Sequence, residues 1–124
     1  MKWFRRAQPL GQHGEGIAAK ALKRSGYTIL DRNVQLGRYE VDIIAREGDT
    51  IAFVEVKTRR DDQYAFPEDN ITHQKRQHLI QAARHYIAQD ADPSRYYRFD
   101  VAAVLMPLKG KPTVTIHRDA FQAD

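Results

Sequence analysis

The sequence predicts one α/β domain, a mixed central sheet flanked by helices in the order αβββαββ. Three observations predict it. A length of 124 residues suits one compact domain and is too short for two. A hydrophobic fraction of 42% supports a real core. Along the chain, the apolar residues switch between helical spacing and the alternation of half-buried strands.

The first eleven residues, Met1 to Gly11, mix aromatic and basic side chains without a period, and are expected to form a flexible arm ahead of a single domain over 12–124. Ile17, Ala18, Ala21 and Leu22 recur at helix spacing over Gln12 to Ser25, and Gly26 sits where a C-cap glycine belongs. Tyr27 to Val34 is a short strand candidate. Arg38 to Arg46 and Thr50 to Lys57 are rich in Val, Ile and Phe, with Glu47-Gly48-Asp49 between them as a hairpin turn. Arg59 to Asn70 is polar, contains Pro67 and is expected to be a loop. Thr72 caps a helix to about Gln89 that carries Leu79, Ile80, Ala83, Tyr86 and Ile87 on its apolar side. Asp92-Pro93-Ser94 ends it. Strands over Tyr97 to Leu105 and Thr113 to His117 follow, with a terminal turn around Ala120 and Phe121.

Composition narrows the function classes. The chain has no Cys, which excludes disulfides and thiolate metal sites and fits a reducing compartment. No apolar run approaches the ~18–20 residues of a membrane span, and the basic N-terminus lacks a signal-peptide apolar core. A cytoplasmic protein without a membrane partner is expected. Lys and Arg outnumber Asp and Glu by 20 to 16, a formal charge of +4 compatible with a polyanionic partner.

Phe53-Val-Glu-Val-Lys57 carries the sharpest chemical signal. On a strand Glu55 and Lys57 share one face, with Val54 and Val56 on the other. An isolated acid–x–Lys is usually a cross-strand salt bridge, but the hairpin adds Glu40 and Asp42 on the antiparallel neighbour. Its turn brings Asp42 near Glu55 or Lys57, within a register slip. Carboxylates gathered there repel one another, and a divalent cation relieves the repulsion; hard oxygen ligands select Mg²⁺ or Mn²⁺. Glu15 lies in the first turn of the first helix, where the helix dipole alone favours an acid. The small Gly14 and Gly16 beside it point instead to a close approach.

These residues carry a resemblance. Gly11-x-x-Gly14-Glu15, Tyr39-Glu40-Val-Asp42, Phe53-Val-Glu-Val-Lys57, Lys75 and Arg98-Phe-Asp100-Val together resemble the YraN-like family of uncharacterised bacterial proteins, over nearly the whole chain after the arm. The resemblance implies the restriction-endonuclease-like core of the PD-(D/E)xK nucleases and a likeness to archaeal Holliday-junction resolvases. It implies metal-assisted phosphodiester hydrolysis in DNA, branched DNA included. Asp42 and Glu55 would hold the ion, with the Val56 carbonyl as in the wider superfamily and Glu40 in reserve. Lys57 would orient the attacking water, and Glu15 would match the resolvases' helix-one acid. Such enzymes usually act as two-fold dimers. Tyr39, where many relatives have Gly, and Tyr64-Ala65-Phe66-Pro67 depart from the family pattern at the rim.

Lys75 and Arg76 open the second long helix and are candidates for phosphate contacts, as are Arg59 and Arg60, although Asp61 and Asp62 partly cancel the latter pair. His78 and His85 stand about 10 Å apart along their helix. That is too far for one zinc ion with bonds of roughly 2 Å, and both are expected on the surface. Asp100 is expected to be a structural acid paired with Arg98 or a nearby base. Two rival functions keep the fold without the chemistry: a catalytically inactive nucleic-acid-binding module, and an adaptor in a DNA-processing complex.

Overall fold

Local signals start and stop the elements. In the computed structural model, which describes residues 10–60, 71–90 and 92–123, helix α1 spans Leu10–Arg24. It ends in a Schellman motif. The Tyr27 amide donates to the Leu22 carbonyl and the Gly26 amide to the Lys23 carbonyl, with Gly26 at φ 100. Strands β1 (Thr28–Leu36), β2 (Tyr39–Glu47) and β3 (Thr50–Arg60) follow. Gly48, at φ 60, opens the two-residue turn between β2 and β3. Helix α2 (His73–Asp90) starts where the Thr72 hydroxyl accepts the Lys75 amide at 3.1 Å. Strands β4 (Tyr96–Met106) and β5 (Thr113–Phe121) complete the expected αβββαββ order.

The five strands form one mixed sheet in the order β1-β2-β3-β4-β5, with β3 and β4 parallel and every other pair antiparallel. The long connection through α2 is what lets β4 lie parallel to β3. Helices cover both faces. On one, α1 packs Ala18, Ala19 and Leu22 over Ile43, Ala45, Ala52, Val54, Ala102 and Val104. On the other, Leu79, Ile80, Ala82 and Ala83 of α2 cover Ile44, Ile51, Phe53, Phe99 and Val101. The central strands β3 and β4 are therefore apolar on both sides, as a covered parallel pair requires.

Several boundaries differ from the sequence expectation. Helix α1 begins at Leu10, so Leu10 and Gly11 belong to it, and the expected arm lies outside the described residues up to Pro9. Parallel pairing with β4 carries β3 on to Arg60, opposite Met106, which places Arg59 and Arg60 on a strand. The rest of the expected loop, 61–70, with Pro67, Asp61 and Asp62, lies outside the described residues. Ala120 and Phe121 continue β5 instead of turning. Asp119 adopts φ 56 beside a register shift, and pairing resumes at Phe99 with Phe121, whose rings stack at 4.7 Å.

Asp100 is fully buried on the α1 face. Arg98 grips it twice, Nε donating to Oδ1 at 2.8 Å and an Nη to Oδ2 at 2.9 Å. The Tyr27 hydroxyl donates to Oδ2 at 2.7 Å and the Asp119 amide to Oδ1 at 3.0 Å. Arg98 also bonds Glu47 at 2.8 Å, and Arg118 closes on the same carboxylate. The expected structural role of Asp100 thus holds, with Arg98 as its partner. Removing one partner of such a buried set leaves a charge uncompensated. Asp100→Ala is expected to cost about 3–5 kcal/mol in urea unfolding, and Asp100→Asn, which keeps an acceptor, clearly less.

Candidate active site

The site begins at a break in the sheet. The β2–β3 ladder runs from Glu47 opposite Thr50 to Ile43 opposite Val54 and stops there. One residue on, the Asp42 side chain takes over from the ladder: its Oδ2 accepts the Val56 amide at 2.8 Å. The pleat of β2 also reverses at this point. Ile43 and Ala45 pack under α1, whereas Val41 packs under α2 although strict alternation would put it with Ile43. The β1 partner position is equally irregular: Arg32 pairs with Ile43 and Val34 with Val41, and Asn33 between them adopts φ 53. Asp42 therefore stands in the gap between β2 and β3, within electrostatic reach of both faces.

Glu15 approaches from α1 and Glu55 lies on the α2 side, and each senses the Asp42 charge. Glu55 is 5% exposed. Its ammonium neighbours are Lys75 Nζ, 3.6 Å from Oε1, and Lys57 Nζ, 3.9 Å from Oε2. Both are too long to be hydrogen bonds, and among the described residues Oε1 is buried without one. Glu15 Oε1 is buried in the same condition. Burial first, then Asp42, push the Glu15 carboxyl up, while the Asn33 amide and Arg32 pull it back and Glu40 adds a smaller upward push. Burial and then Asp42 raise Glu55 from 4.5 to about 7, against the opposing pull of Lys75 and Lys57. Two carboxylates thus carry unsatisfied oxygens around a third that is pinned by a backbone amide. Such an arrangement suits a cation and is poor without one.

Glycine sets the approach of α1. A Cβ on Gly14 would overlap the Thr58 hydroxyl and come within 3.1 Å of both Thr58 Cβ and Cγ2. Only a bare backbone brings this turn of the helix, and Glu15 with it, against β3. Because α1 starts at Leu10, Glu15 lies beyond the first turn. The helix-dipole explanation of its presence does not apply.

Other expected residues are placed less closely. Glu40 is exposed and reaches Glu15 only through its charge. Arg59 follows Lys57 on the α2 face of β3 by strand alternation, and its Nε is buried without a hydrogen bond. Arg60 is exposed at the end of the strand. Lys75 faces Glu55, but Arg76 turns to the opposite flank of α2, 5.5 Å over the Phe121 ring. Among the described residues, no three His, Cys, Asp or Glu side chains are grouped closely enough to hold an ion by themselves. Asn33 was not singled out from sequence. An Asn that tolerates left-handed backbone, set within a polar strand end, was the available signal.

Two outcomes follow from this geometry. Gly14→Ala should destabilise the protein by about 1–3 kcal/mol in chemical denaturation through overpacking, and Thr58→Ala in the same chain should restore most of the loss. A carboxyl raised on folding supports the fold while protonated; for Glu55 that support is complete below about 4.5 and lost as pH climbs through about 7. In EDTA the melting temperature should therefore fall between about pH 5 and about pH 8. Glu55→Gln should flatten this profile and melt several degrees higher at the alkaline end, whereas a slope unchanged by the substitution would assign it to other groups.

Comparison with known proteins places the chain. Residues 14–104 match the family described as Uncharacterised protein family UPF0102, a stretch that includes Glu15, Asp42, Glu55 and Lys57. A UPF0102 protein of Caldicellulosiruptor saccharolyticus is 45% identical over 113 residues, covering 90% of this chain and 96% of the relative. One from Nitratidesulfovibrio vulgaris strain DP4 is 50% identical over 94 residues, 76% of this chain and 70% of the relative. One from Geotalea daltonii is 40% identical over 112 residues, covering 90% and 88%. With a family match over most of its length and relatives aligned nearly end to end, the chain belongs to the UPF0102 family.

Proposed function

We propose that this protein is a divalent-metal-dependent endonuclease of the PD-(D/E)xK type, with a restriction-endonuclease-like core, acting on DNA in the cytoplasm. One observation carries the reading. Glu55 and Glu15 bring buried, unsatisfied carboxylate oxygens toward Asp42, which the Val56 amide pins in the gap between β2 and β3, and two lysines flank Glu55. The oxygens fit a hard cation of the Mg²⁺ or Mn²⁺ kind. Asp42 and Glu55 would hold it, with the Val56 carbonyl and water completing the set, since Mg²⁺ keeps several waters. When bound, the ion polarises a phosphate oxygen and lowers the pKa of a water.

The chain's own groups supply the rest. The Val56 amide fixes the Asp42 carboxylate through its Oδ2. Lys57, partly exposed beside Glu55, is placed to neutralise charge that builds on the phosphate and to orient the attacking water. Lys75, at the first turn of α2, adds a second cation where a phosphate would settle. Glu15, with its carboxyl pushed up by burial and by Asp42, can accept the water's proton or bind a second ion. By analogy to the resolvases, the protein would act on branched DNA as a two-fold dimer.

The test combines binding and cutting. Calorimetric titration should show Mn²⁺ binding by the wild type that is lost in Asp42→Asn and Glu55→Gln. With Mn²⁺ present, a panel of labelled junctions, flaps, duplexes and single strands should reveal cutting that Lys57→Ala slows by about 100-fold or more. Titration without heat, or equal cutting by wild type and Lys57→Ala, would defeat the reading.

A further inference from the structure

Next to the proposed site, the β1–β2 turn and α2 form an open cavity of about 240 Å³, lined by Arg38, Tyr39, Gln81 and His85. No acid lines it. Its walls meet directly: Gly37, at φ 64, lets the turn backbone lie so close to His85 that a Cβ there would collide with the imidazole. The Tyr39 ring stacks on His78 of α2 with centroids 4.1 Å apart and planes 13° from parallel. The Arg38 guanidinium lies 5.8 Å from the same ring's centroid. The cavity is thus pre-formed, with the Arg38 guanidinium plane backed by Tyr39, the His85 imidazole and one amide carrying both donors and an acceptor, while His78 already covers one face of Tyr39.

Its position is tied to the carboxylates along both walls. Tyr39 lies three residues before Asp42 on β2, about 10 Å at strand rise. Gln81 lies six residues beyond Lys75 on α2, about 9 Å at helix rise. Both walls therefore place the cavity at a distance that an extruded nucleotide can bridge from its own phosphate. Planar aromatic and guanidinium groups hold bases by stacking, and Gln makes paired hydrogen bonds with a base edge.

We propose that the cavity lined by Arg38, Tyr39, Gln81 and His85 receives an unpaired nucleobase of the DNA strand whose phosphate lies at Asp42, Glu55 and Lys75. The inference rests on the nuclease reading and narrows its substrate to DNA with splayed or unpaired nucleotides. A blunt duplex keeps its bases stacked and cannot fill the cavity without extruding one, so it binds more weakly.

Fluorescence anisotropy in EDTA tests this, with a labelled fork that has single-stranded arms and a blunt duplex of the same sequence. Wild type should bind the fork more tightly. Tyr39→Ala and Gln81→Ala should each weaken fork binding about tenfold, the scale of one lost base contact, and leave duplex binding unchanged. Tyr39→Phe, which keeps the ring, should retain the fork preference, and Lys20→Ala on exposed α1 surface should change neither substrate. Gln81 is exposed, so its truncation reports on contact rather than folding. Equal losses on fork and duplex, no loss in Gln81→Ala, or a wild type indifferent to the arms would overturn the proposal. Cutting assays of the wild type in Mn²⁺ separate the two readings. A wild type that prefers the fork yet cuts no substrate removes the nuclease and keeps the pocket; cutting indifferent to Tyr39 and Gln81 does the reverse.

Discussion

The arrangement depends on a conflict between hydrogen-bond register and charge at one point in the sheet. Where β2 leaves β3, a ladder that continued would pair every backbone group and leave no opening. Instead Asp42 satisfies the Val56 amide with a side-chain oxygen, which keeps the strands linked while letting them diverge. The gap admits acids from both faces, Glu15 from the α1 side and Glu55 from the α2 side. Neighbouring carboxylates in low dielectric oppose one another, which is why burial and Asp42 raise both of them. The fold holds this local conflict because the surrounding core, apolar on both faces of β3 and β4, over-determines the backbone.

Much of the fold was legible because its signals are local. The Gly26 cap, the Glu47-Gly48-Asp49 turn and the Thr72 cap act over a few residues, and the element order follows from them. Strand ends were less legible. Arg59 and Arg60 look like loop by polarity, yet an eleven-residue parallel ladder with β4 extends β3 through them. Phe121 looks like a terminal turn, but stacking on Phe99 holds it in β5. In both cases a partner distant in sequence decides.

The candidate site divides in the same way. Glu55 and Lys57 lie on one strand face by period alone, and Asp42 follows from counting through a tight hairpin. The pleat reversal at Asp42 does not follow, because it needs a left-handed Asn33 on a third segment. Glu40 and Asp42 were assigned a common face by alternation. The structure leaves Glu40 exposed and lodges Asp42 in the gap, since alternation fails where the pleat inverts. Arg76 was grouped with Lys75 as a neighbour in sequence, but one step along a helix turns a side chain by about 100°.

Two buried acids, Asp100 and Glu55, lie one register step apart on adjacent strands and have opposite fates. Asp100, on the α1 face, is saturated by a guanidinium, a phenol and a backbone amide. Glu55, on the α2 face, has two ammonium groups beyond hydrogen-bond distance and the like charge of Asp42 beside it. Their named partners do not overlap, so the framework's rigidity and the pocket's reactivity draw on separate sets of contacts. Neutralising Glu55 therefore leaves every group that holds Asp100 in place, so a version of this molecule stripped of its frustrated charge should keep the scaffold intact.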